Sequence, residues 1–136
     1  MAHAKWWRGS AFVLAIFFAG PGLASAADQP VKRTELLRAD ITKAEGREGI
    51  IYIAEIVPGG VTGKHTHPGD EFVYMLEGTL IIEPEGKEPI TVKVGGTAHL
   101  PEGLVHRARN ASDSEPAKAL VFLISQKGKP LAEAAE

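Results

Sequence analysis

Along the chain, short apolar runs rich in β-branched and aromatic residues alternate with polar, turn-forming stretches. "GIIYIAEIVPGG" (49–60) sets such a run against a stop at Pro58-Gly59-Gly60, as a strand entering a turn does. "EFVYML" (71–76), "TLIIE" (79–83), "ITVKV" (90–94), "LVHRAR" (104–109) and "KALVFLIS" (118–125) repeat the pattern at short spacing. Gly78, "PEGKEP", Gly95-Gly96 and "NASDSEP" separate them, all of turn-prone composition. No segment carries a competing helical period, and the Ala-rich tail "PLAEAAE" (130–136) reads as a frayed end. Many short strands joined by tight turns predict an all-β sandwich or barrel, with binding residues inside it or at its mouth. "VKRTELLRAD" (31–40) adds an edge strand, and "KAEGREG" (43–49) reads as a mobile polar loop.

The first 26 residues do not fit that pattern. Lys5 and Arg8 precede the apolar run Ala11–Gly20, and Ala24-Ser25-Ala26 supplies a small-x-small cleavage site. Basic, apolar and small segments in that order predict a secretory signal peptide over 1–26, and so a periplasmic or secreted protein. An apolar run of this length falls short of the roughly 20 residues that span a bilayer, so no membrane association is expected after cleavage. The remainder, 27–136, is the length of one domain with its core at about 50–125. It would carry 13 Lys and Arg against 17 Asp and Glu, a formal charge of −4. With no basic patch, nucleic acid is not an expected partner. An exported chain without cysteine must hold its fold by its apolar core alone.

The stretch "GGVTGKHTHPGDEFVYMLEG" (59–78) packs His65, His67 and Glu71 into what otherwise reads as strand and turn. Alternate side chains of a strand point the same way, so His65 and His67 face one point, and a turn at "PGD" returns Glu71 beside them. Imidazole with carboxylate suits a divalent transition metal such as Fe, Mn, Ni, Zn or Cu, whereas an all-oxygen set would suit Ca or Mg. A further ligand has to come from elsewhere in the chain.

Two spaced patterns supply it. The first reads Gly59, five residues, His65-Thr66-His67, three residues, Glu71, six residues, Gly78. The second reads Gly95, five residues, Pro101, one residue, Gly103, two residues, His106, three residues, Asn110. Both halves match the cupin pattern at every position, and over about residues 50–125 the chain resembles the small, single-domain, exported cupins. That resemblance implies a double-stranded β-helix, or jelly-roll barrel, with one metal held inside by His65, His67, Glu71 and His106. It also implies a homodimer formed through sheet contacts.

His99 has no place in either pattern and reads as a structural or half-exposed histidine. Phe72, Tyr74 and Leu76 lie on the strand face opposite Glu71, suited to packing against a sheet or subunit, while Val73, Met75 and Leu104 line the interior. Glu55 interrupts an apolar strand, as a general acid or base in a cavity or as an acid facing water. Arg107 and Arg109 read as surface charges. Four ligands leave two positions of a six-coordinate metal open. The expected function is a metal-dependent enzyme, oxygenase-like, on a small chelating organic substrate. Isomerase or lyase chemistry, and non-catalytic binding or sensing of a small molecule or metal, are the alternatives, because fold alone does not select among them.

Overall fold

The computed structural model of the protein describes residues 30–136, so the leader over 1–26 and the boundary at residue 27 lie outside the described residues. Ten strands and no helix occur among them: β1 (Val31–Asp40), β2 (Arg47–Ile56), β3 (His65–Thr66), β4 (Gly69–Glu77), β5 (Thr79–Pro84), β6 (Ile90–Lys93), β7 (Thr97–Leu100), β8 (His106–Asn110), β9 (Ala117–Gln126) and β10 (Glu133–Ala134). They form two antiparallel five-stranded sheets, β1-β2-β9-β4-β7 and β10-β3-β8-β5-β6. This is the all-β jelly roll expected from the short apolar runs.

Period-two alternation decides which side chains enter the barrel. On β2, Glu48, Ile50, Tyr52 and Ile56 are buried while their neighbours are only partly covered. On β9, Ala117, Ala119, Val121, Leu123 and Ser125 are buried by the same rule. On β4, Glu71, Val73 and Met75 point in, and Phe72 and Tyr74 point out. The inward apolar residues form one core with Leu80, Ile82, Val92 and Leu100. Each such burial contributes about 1.5–3 kcal/mol for a Val- to Leu-sized side chain, and the core carries the fold without disulfides.

Two glycines have specific work. A Cβ on Gly69 would lie 1.9 Å from the Ile124 carbonyl oxygen, so only glycine lets β4 begin in register against β9. Gly103, at φ 76°, makes the left-handed step of the turn that delivers His106, and its amide donates to the His67 carbonyl at 3.1 Å. Asn110 is buried and its amide donates to the carbonyls of Ile56, Val57 and Glu115, while its side-chain oxygen accepts from the Ser112 amide. It ties the end of β2 to the β8–β9 connection.

Beyond this core, β1 is the expected edge strand, with a bulge between Glu35 and Leu37 that leaves Leu36 and Leu37 exposed. The stretch expected to be a mobile loop is instead a closed hairpin, held by Ile41, Ala44 and Arg47 backbone hydrogen bonds. The tail is not frayed either. Glu133 and Ala134 pair with Thr66 and His65, and the Ala135 amide donates to the Lys64 carbonyl at 3.0 Å. Backbone pairing with the short β3 holds this segment, which alanine composition does not reveal.

Candidate metal centre

Three segments from the two sheets converge on the barrel interior. His65 on β3 pairs directly with His106 on β8, which sets their rings 4.4 Å apart between centroids. His67 stands in the two-residue connection before β4, with its ring 5.0 and 5.2 Å from those of His65 and His106. Each of the three offers a ligand nitrogen within 4.8 Å of the others, and all three are buried. Glu71, from the facing sheet, places Oε2 3.1 Å from His67 Nε2 and 3.7 Å from His106 Nε2. Both histidines and the carboxylate are buried.

The tautomers follow from the hydrogen bonds. His65 Nδ1 donates to the Gly63 carbonyl at 2.9 Å, His106 Nδ1 to the Leu104 carbonyl at 2.9 Å, and His67 Nδ1 to the Leu131 carbonyl at 2.6 Å. A carbonyl only accepts, so each Nδ1 carries a proton and each Nε2 faces inward, where it presents a lone pair whenever the ring is neutral. Glu71 Oε1 accepts from the Tyr52 hydroxyl at 3.0 Å, which turns Oε2 toward the imidazoles. Lone pairs facing a carboxylate oxygen at 3.1 Å repel unless a cation lies among them. Three Nε2 atoms and one oxygen, each oriented by a second hydrogen bond, fit a divalent transition metal in both donor type and support.

The protonation equilibria agree with that charge pattern. Burial brings the His65 imidazole down to about 4, and burial also lowers His106. Burial depresses His67 too, but the Glu71 carboxylate outweighs it by hydrogen bond and charge, and its pKa ends raised. For Glu71, burial pushes upward and is outweighed by His67, His106 and Tyr52, so the carboxylate is held below its usual range. A proton on His67 and a metal at the same place satisfy the same carboxylate.

The centre opens on a cavity of about 50 Å³ whose walls include Tyr52, Val73, Met75, Leu80, Ile82 and Val121. A family model described as a cupin domain matches residues 52–123. The chain belongs to the cupin family. A germin-like protein, subfamily 2 member 4, of Arabidopsis thaliana is 31% identical over 118 residues, covering 81% of this chain and 53% of that protein. The chain spans about half the length of the curated relatives it matches. Among solved structures, a cupin domain from Bordetella pertussis Tohama I is 25% identical over 71% of this chain and 95% of that one, with a TM-score of 0.56. Recombinant oxalate oxidase in complex with glycolate is 24% identical over 80% and 57%, with a TM-score of 0.62, a likeness of fold.

Within this cupin, the four residues His65, His67, Glu71 and His106 are brought together. Glu55 is not. It sits on the outward face of β2, paired in register with Lys32 and 3.8 Å from its ammonium, because strand alternation sends Tyr52 and Ala54 inward and Glu55 out. His99 lies on the exposed outer face, 2.8 Å from Asp70 and stacked on Phe72 at 4.7 Å. Arg107 and Arg109 both reach Glu83 at the surface. Neither spaced pattern marks Tyr52, which orients Glu71, or the Leu131 carbonyl, which orients His67. The parity of β2 carries a signal for the tyrosine, and no local signal marks the carbonyl.

Proposed function

We propose that this cupin is a metal-dependent enzyme acting on a small chelating organic substrate, with His65, His67, Glu71 and His106 as ligands of one Fe, Mn, Ni, Zn or Cu ion. The observation that carries the reading is the set of three inward Nε2 atoms and Glu71 Oε2 at the end of an apolar cavity. A bound metal supplies Lewis acidity toward a substrate oxygen and, if redox-active, electron transfer to dioxygen; the preferred activity is oxygenase-like, with isomerase or lyase chemistry as its alternative.

The chain's own part is to bind, orient and exclude water. Room for about four waters, at 10–15 Å³ each, limits a ligand to a handful of heavy atoms, and the hydrocarbon walls strengthen each polar contact inside. Tyr52 donates to Glu71 and so fixes which carboxylate oxygen faces the imidazoles. The proposal extends to export through the 1–26 leader into the periplasm or medium, and to a homodimer. The latter is supported by the exposed aromatic face of Phe72, Tyr74 and Phe122, whereas Leu76 falls at the β4 bulge.

Metal analysis of purified protein, followed by oxygen-uptake and product screening with small chelating acids and diols, tests the reading. Stoichiometric metal with turnover supports it. Metal with tight ligand binding and no turnover selects a binding module, and absence of metal after reconstitution overturns the centre.

A further inference from the structure

Among the described residues Arg33 is the one arginine with no carboxylate of another described residue within 4.0 Å; Arg38, Arg47, Arg107 and Arg109 all have one. Its place on β1 explains why. In the β1–β2 register Lys32 stands opposite Glu55 on the outer face and forms its ion pair there, while Val31 and Arg33 stand opposite Ile56 and Ala54 on the inner face. Arg33 thus lines the same cavity as Tyr52, His65, Glu71 and His106. Among the described residues the only carboxylate in that lining, Glu71, is already engaged by Tyr52, His67 and His106.

We propose that Arg33 is the anion-recognition residue of this cavity and that the molecule taken there is a small carboxylate, held between the guanidinium and the metal centre. The inference rests on the metal reading above and names its substrate class. Charge counting leads to it. A divalent metal with three neutral imidazoles and one carboxylate carries +1, and Arg33 raises the cavity to +2 within largely hydrocarbon walls. A positive excess of that size beside a largely hydrocarbon cavity, with Arg33 half-buried at its wall, favours an anion over a neutral ligand. The planar fork of a guanidinium matches a carboxylate in two parallel hydrogen bonds, and a volume of about 50 Å³ admits only an acid of about two or three carbons.

The test is calorimetric titration of glycolate, its uncharged isostere glycolamide, and inorganic phosphate into the wild-type protein, Arg33→Gln and Arg33→Lys, with metal content and melting temperature measured for each. Wild type is expected to prefer glycolate over glycolamide by tenfold or more. Arg33→Gln should lose about 10- to 100-fold in glycolate affinity with glycolamide nearly unchanged, and Arg33→Lys should keep part of the preference. Equal glycolate affinity in Arg33→Gln, no preference in wild type, or phosphate bound more tightly than glycolate overturns the assignment. Metal content separates the two readings. An Arg33-dependent preference in protein that takes up no metal upholds the anion site while removing the metal centre, and unchanged metal content with no preference does the reverse.

Discussion

Deleting residues 131–136 tests the part of the centre that lies farthest away in sequence. Leu131 supplies the carbonyl that accepts from His67 Nδ1 at 2.6 Å, across 64 residues of chain. The deletion also removes the β10 pairing with Thr66 and His65 and the Ala135–Lys64 backbone bond. Without its acceptor the Nδ1–H must find water or go unpaired, at a cost of about 1–3 kcal/mol for a buried donor. The ring then loses the bond that fixes its tautomer and orientation. The expected loss of metal affinity is about 10- to 100-fold, the range for removing an outer partner of a ligating histidine. Leu131→Ala is the control, because it keeps the carbonyl and removes only side-chain packing against the core. Competition against a chromophoric chelator reads both variants at one pH. If the truncated protein binds metal as tightly as Leu131→Ala does, the Leu131 carbonyl does not position His67 and the reasoning fails.

Three further outcomes are expected. His106→Ala should lose several kcal/mol of metal affinity while His99→Ala, altered on the outer face, keeps its metal; equal metal content measured in the two would remove His106 from the centre. Gly69→Ala should destabilise the fold by about 3 kcal/mol or more in denaturant unfolding, because the clash is with the β9 backbone and not with a side chain that can move; a change under about 1 kcal/mol would contradict the close approach. The melting-temperature difference between metal-loaded and chelator-treated protein should shrink with falling pH. Against the effect of burial, His67 has its pKa raised by the Glu71 carboxylate and must be neutral to bind, so metal-dependent stabilisation is full above that pKa and is lost as pH falls through it, well before His65, which burial brings down to about 4, takes up a proton. A difference that stays constant from pH 8 to 5 would refute the linkage.

Period-two alternation and turn residues were enough to read an all-β barrel from the chain, because inward and outward faces of a strand are written into residue parity. The four convergent residues were likewise legible, since the glycines, the proline and the ligands of both patterns lie at short fixed spacings. Tertiary structure decided the remainder. Glu55 and Tyr52 are three residues apart on one strand, so parity puts them on opposite faces, and tertiary structure decides which face is the interior: the tyrosine reaches Glu71 on β4 while the acid meets Lys32 on β1. The tail reads as loose alanine-rich chain until β3 is seen to lack a second neighbour. Arg33 resembles its neighbour Lys32 in composition. One register step separates a solvated ion pair from a charge that lines the cavity, and register is a property of two strands, which neither strand's own sequence states.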